Sequence, residues 1–186
     1  MRIRRDIAMR LVPLSATVAG VWIVGRPSWL GISRGRVRTQ VAFGVGAAIA
    51  FFFSAALLQR KITGDGIPFR FATTGREALF QSAYFILNAP IEEAFFRGLL
   101  QGSVGAKLGA PAGLLAGTVP YVLYHRLGGW SWPQVAATSL AAVPLAVAYR
   151  VLPGRPSLLG ITLAHIGATC GFLGPGTWVL RRLGMR

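Results

Sequence analysis

Acidic residues are scarce in this sequence. Asp6, Asp65, Glu77, Glu92 and Glu93 are the only ones among 186 residues, against 20 lysines and arginines, for a formal charge of +15. Charged residues make up 13% of the chain, about half the share of an ordinary soluble domain, which excludes a well-hydrated surface. One cysteine, Cys170, excludes an intrachain disulfide, and it reads as a small packing residue. Histidine occurs twice, as His125 and His165. Lysine is confined to Lys61 and Lys107, so arginine carries the positive charge, a bias that fits a GC-rich prokaryotic genome.

What the chain has instead is apolar length. Hydrophobic residues reach 53% and mean hydropathy is +0.54. A strongly basic chain binds nucleic acid or anionic lipid. Here the bases flank long apolar runs, which points to anionic lipid and away from nucleic acid. A spanning helix needs about 20 mostly apolar residues. Six runs qualify as membrane helices, near residues 11–24, 41–58, 78–100, 110–125, 134–151 and 158–180. The first is short. The basic start, Met1 to Arg5, is like that of a signal peptide, but no small-residue cleavage site follows, so this run reads as a membrane helix. Segments 26–40 and 59–76 are polar and basic and read as surface loops.

Lipid supplies no backbone hydrogen-bond partner, and the runs lack strict alternation, so helices are expected rather than a barrel. The fold class is therefore all-α, a polytopic transmembrane bundle of about six membrane helices with the third broken near Pro90. Residues 1–76 form N-terminal helices and basic loops, and residues 77–186 a helical bundle that carries the chemistry, in one integrated domain. Gly105, Gly109, Gly113 and Gly117 recur every fourth position, lining one helix face for close backbone contact. The distribution of bases favours an inside N-terminus, although Arg26, Arg34, Arg36 and Arg38 follow the first run.

Two of the five acids lie in the apolar stretch Asn88-Ala-Pro-Ile-Glu-Glu-Ala-Phe-Phe-Arg97, and both histidines lie in apolar runs. A charge at a helix centre costs about 2.5–3.5 kcal/mol on insertion scales, so this concentration marks a functional site. Pro90 suits a first helical turn, which places Glu92 and Glu93 where the helix dipole favours carboxylates. Glu93 and Arg97 are four apart and pair on one face, leaving Glu92 free for chemistry. His125 follows Tyr121 by four residues, and His165 precedes Thr169 by four. A plainer reading makes Glu92 a capping acid and Glu93–Arg97 a structural pair, but it gives both histidines no role. A glutamate with two histidines also suits zinc with an open position, though the spacing of His-Glu-x-x-His metalloproteases is absent. The chemistry requires no cofactor.

The element Glu92-Glu93-x-x-x-Arg97, the aromatic-x-x-x-His element at Tyr121–His125 and the later His165 resemble the CAAX-processing and bacteriocin-processing intramembrane proteases. These are also called the Abi, CPBP or type II CAAX prenyl protease family. The resemblance spans about residues 78–175. It implies a membrane-embedded cavity where Glu92 and His125 activate water, His165 and Thr169 stabilise an oxyanion, and Glu93, Arg97 and Tyr121 support the site. The substrate would be a membrane-associated peptide or lipidated protein in a prokaryotic cytoplasmic membrane. The family usually has phenylalanine at position 121 and asparagine at 169. A threonine hydroxyl reaches less far than an amide, and loss of an oxyanion donor costs about 100- to 1000-fold in rate. The alternatives are a non-catalytic binding or immunity protein on the same fold and a proton-coupled carrier. In a straight third helix Glu92 and His125 would lie at different depths, so their meeting requires either a break at Pro90 or a topology other than the one drawn from the six runs.

Overall fold

The computed structural model describes residues 7–25, 27–31, 36–63, 74–152 and 157–185. The basic start up to Arg5, Asp6, Asp65 and parts of the expected loops at 26–40 and 59–76 lie outside the described residues. All regular structure among the described residues is helical. A π-helical turn, Ile7–Leu11, leads into α1 (Val12–Ile23), and a 3-10 turn, Pro27–Leu30, precedes α2 (Val37–Thr63). Helix α3 (Gly75–Glu93) continues without a gap through a π-helical segment, Ala94–Gln101, into α4 (Gly102–Leu108). Then come α5 (Ala110–Tyr124), a 3-10 turn His125–Gly128, α6 (Trp132–Val151), α7 (Leu159–Phe172) and α8 (Pro175–Arg182).

Several expected boundaries move. Helix α2 extends into both expected loops, beginning at Val37 and ending at Thr63. The run 158–180 is divided at Gly174, whose φ of +25° ends α7 and lets Pro175 open α8. Among the described residues two helices have the length and composition to cross a membrane, Val37–Ile62 with mean hydropathy 2.3 and Trp132–Val151 with 1.3. The other expected spans fall short because they are divided, short or charged; Ile7–Ile23 and Leu159–Phe172 are apolar but shorter.

The third helix is not broken at Pro90. It begins at Thr74, whose hydroxyl accepts from the Glu77 N–H at 3.2 Å, and Pro90 lies inside it with helical winding on both sides. The ring removes one backbone donor, but the winding changes only four residues later, at Ala94. Glu92 and Glu93 therefore stand far from the N-terminus of α3, and the helix dipole does not hold them.

How Glu92 reaches the level of His125 follows from the turn at Gly109. Its φ of +89°, open to glycine at little cost, reverses the chain between α4 and α5. Glu92 lies 17 residues before Gly109 and His125 lies 16 after it, so two antiparallel arms of nearly equal residue count return the chain toward Glu92. The glycines make the arms close. A Cβ on Gly113 would meet the Gly105 Cα at 2.8 Å, and one on Gly117 would meet the Gln101 Cβ at 2.7 Å. The glycine stripe thus straddles a hairpin rather than lining one helix face, because Gly109 is the turn itself. The close packing it was expected to permit is present.

Polarity is inverted relative to a water-soluble protein. Ile49, Phe53, Leu79, Phe80, Leu87, Leu115, Leu140 and Val147 are exposed, whereas Arg10, Gln40, Gln59, Glu92, Glu93, Arg97, His125 and His165 are buried. Exposed apolar area on this scale needs a non-aqueous neighbour.

Candidate active site

The site forms where the end of α3 and the π-helical segment that follows it, the end of α5 and the middle of α7 meet. Glu92 is 1% exposed. Its Oε1 accepts from Asn88 Nδ2 at 2.6 Å, Tyr124 Oη at 2.7 Å and Arg10 Nη2 at 2.7 Å. Its Oε2 faces His165 Nε2 at 3.5 Å. Glu92 is therefore not a free carboxylate. One oxygen is fully engaged and the other is turned toward an imidazole.

Glu93 does pair with Arg97, Oε2 to Nε at 3.5 Å, and its Oε1 lies 2.8 Å from His165 Nδ1. Arg97 is fully buried. It donates to the Gly117 carbonyl at 2.6 Å and to the Ala142 carbonyl at 3.2 Å, and its guanidinium stacks over the Tyr121 ring at 4.7 Å. These bonds tie α5 and α6 to the π-helical segment. Gln101, on the same segment, donates to the Ala146 carbonyl at 2.8 Å. A π-helical stretch is rare and tends to occur at functional positions. Here it supplies the side chains that hold the neighbouring helices.

Tyr121 is the hub. Its hydroxyl lies 3.0 Å from His165 Nε2, and its ring packs edge-on against Phe96, His125 and His165. The His165 ring thus lies between the Glu93 carboxylate on its Nδ1 side and the Tyr121 hydroxyl on its Nε2 side. His125 Nδ1 lies 2.8 Å from the Tyr121 carbonyl. A carbonyl only accepts, so Nδ1 donates, and Nε2 is left with the lone pair. Tyr124 and Trp130 pack edge-on against the His125 ring.

A cavity of about 450 Å³ adjoins this cluster. Tyr121, His125, His165 and Thr169 line it, with apolar side chains of α2, α6 and α7. Leu140, at its rim, is 63% exposed, so the cavity opens on the apolar outer surface. Glu92 is not among the lining residues. The structure thus joins Glu92, Glu93, Arg97, Tyr121 and His165 in one contact network, sets His125 against Tyr121, and places Thr169 on the same cavity wall as both histidines.

His165 Nδ1 faces Glu93, His125 Nδ1 is spent on a backbone carbonyl, and no group of three His, Cys, Asp or Glu side chains among the described residues is disposed to hold an ion.

Residues 74–170 match the family model described as type II CAAX prenyl endopeptidase Rce1-like. The chain belongs to this family. The match makes it an integral membrane protein of the CAAX protease type, which acts on prenylated or membrane-associated peptides. No curated protein and no solved structure matches the chain. The matched segment contains Glu92, Glu93, Arg97, Tyr121, His125, His165 and Thr169, and it excludes Arg10.

Sequence reasoning missed Asn88, Tyr124, Trp130 and Arg10. Asn88 and Glu92 are four apart, and that spacing was available as a signal. Tyr124 and Trp130 flank His125 in sequence. Arg10 carried no local signal, because its partner lies 82 positions away.

Proposed function

We propose that this chain is an intramembrane endopeptidase that hydrolyses a peptide bond of a lipidated or membrane-associated substrate with water activated by Glu92 and His125. The observation that carries this reading is the meeting of Glu92 Oε2 with His165 Nε2 at 3.5 Å beside a cavity lined by His125, His165 and Thr169. The acid and the imidazoles come from three separate helical segments.

A water enters from the cavity toward Oε2 and the His125 Nε2 lone pair. Glu92, with His125, takes one proton as general base. The hydroxide adds to the carbonyl carbon, and His165 and Thr169 stabilise the oxyanion. Collapse of the tetrahedral adduct breaks the C–N bond, and the proton held by the Glu92–His125 pair passes to the leaving amine. Glu93 and Arg97 hold His165 and the hairpin in place. No step passes through a metal. The lipid-side opening at Leu140 supports entry of an apolar chain from within the bilayer, and Phe51, Leu58 and Phe172 on the cavity wall suit a prenyl or acyl group.

In this reading residues 1–76 and 77–186 act as one unit with about six membrane passages, in a prokaryotic cytoplasmic membrane. Anionic lipid is the partner of the basic helix ends, such as Arg181 and Arg182 beside Trp178. The test is cleavage of a fluorogenic farnesylated CAAX peptide by the purified chain in proteoliposomes. Wild-type protein cleaves it, and E92A and H125A do not while remaining inserted. Full activity in E92A removes the mechanism.

A further inference from the structure

Arg10 belongs to the short π-helical turn before α1, outside the family-matched segment, yet it is 3% exposed and buried against the site. An arginine in an apolar interior costs about 2.5–3.5 kcal/mol on insertion scales, so its place calls for strong compensation. That compensation is specific. Nη2 donates to Glu92 Oε1 at 2.7 Å, and the guanidinium plane lies over the Tyr124 ring at 4.3 Å and near Trp130 at 5.7 Å. Tyr124 therefore grips both members of the pair, stacking on the cation and donating to the anion.

Two further observations give this contact a direction. All three short donors to Glu92, from Arg10, Asn88 and Tyr124, fall on Oε1, while Oε2 is turned to His165. The carboxylate is anchored by one oxygen and presented by the other. Each glutamate of the pair also has its own arginine, Arg10 for Glu92 and Arg97 for Glu93.

We propose that Arg10 is a positioning residue that fixes the Glu92 carboxylate, so that the N-terminal segment completes the active site. This rests on the hydrolytic reading above. Arginine suits the task better than lysine, because a planar guanidinium stacks on an aromatic face while it donates. A misplacement of about 1 Å in a catalytic group costs about 100-fold in rate, which sets the expected effect.

The experiment compares wild type, R10A and R10K as full chains in proteoliposomes. One readout is cleavage of the farnesylated CAAX peptide. The second is labelling of Glu92 by dicyclohexylcarbodiimide, read by mass spectrometry, since the reagent modifies carboxyl groups that no cation covers. R10A is expected to lose about 100-fold in kcat with little change in KM, and to gain label at Glu92. Millimolar guanidinium restores part of R10A and nothing of E92Q. R10K keeps Glu92 covered and recovers part of the rate. Labelling and activity must move together. A variant with Glu92 covered yet inactive, or uncovered yet active, overturns the proposal, as does a loss in R10A that neither guanidinium nor lysine relieves. If wild type cleaves nothing, the hydrolytic reading fails by itself. The label still judges the clamp, and equal labelling of wild type and R10K with R10A overturns it.

Discussion

His165 Nδ1 lies 2.8 Å from Glu93 Oε1, while the other oxygen of that carboxylate faces Arg97 at 3.5 Å. The acid next to the proposed base thus orients the histidine on one side and an arginine on the other. This explains why two adjacent glutamates occur together in a chain with so few. They point about 100° apart around the helix; Glu92 meets Arg10, Asn88 and Tyr124, Glu93 meets Arg97, and both face His165. Replacing Glu93 by Gln keeps the shape but removes the charge that orients His165. Cleavage of the farnesylated peptide should fall by about 10- to 100-fold, as for loss of a group that holds another in place, with KM little changed. Steady-state kinetics check this, and an unchanged kcat would show that His165 needs no such partner.

Arg97 is the larger structural commitment. Removing one partner of a buried ion pair costs about 3–5 kcal/mol because the other is left uncompensated. R97M should therefore lower thermal stability in detergent more than E93Q does, since the Gly117 and Ala142 carbonyls lose donors as well. Melting curves of the two variants give the comparison.

Thr169 is the narrowest feature of the proposed oxyanion site. T169V removes the hydroxyl at nearly constant shape. It should reduce kcat within the range of about 100- to 1000-fold seen when an oxyanion donor is lost. T169N supplies a longer donor and should equal or exceed wild type. If T169V is as active as wild type, the oxyanion rests on other groups.

Gly113 and Gly46 form a matched pair of tests for the hairpin. A Cβ on Gly113 falls 2.7 Å from the Gln101 carbonyl, whereas one on Gly46 meets nothing within 4 Å. G113A should cost about 1–3 kcal/mol, as overpacking does, and G46A in α2 should be neutral or stabilising by up to about 1 kcal/mol. Thermal unfolding of both decides whether glycine at position 113 is there for contact.

Chelation offers a separate check. The imidazoles are committed to Glu93, Tyr121 and a backbone carbonyl, so incubation with 1,10-phenanthroline should leave peptide cleavage unchanged. Loss of activity that zinc restores would require these rings to turn away from their present partners.

Much of this was legible in the sequence because it is local. Helical winding followed from apolar run length, and the Glu93–Arg97 pair followed from a spacing of four. The selection of Glu92, Glu93, His125 and His165 followed from the cost of polar groups in apolar runs. What was hidden is non-local or depends on winding. Pro90 suggested a break, since a proline removes a backbone donor, but the helix absorbs it and changes winding at Ala94 instead. The glycine stripe looked like one face because a period of four reads the same whether or not the chain reverses at its middle. Arg10 looked like one more flanking base, because nothing near it in sequence hints at a carboxylate 82 positions on.

The reversal at Gly109 also limits how this protein can change length. Four residues added to one arm alone would slide Glu92 past His125 by about 6 Å, one full helical turn, and the acid would face the wrong stretch of its neighbour. Equal additions to both arms would leave the pair level and only move the loop tip outward. Insertions and deletions in this region should therefore be tolerated only in matched sets, and the distances from Gly109 to the two reactive groups should drift together among sequences that keep the chemistry.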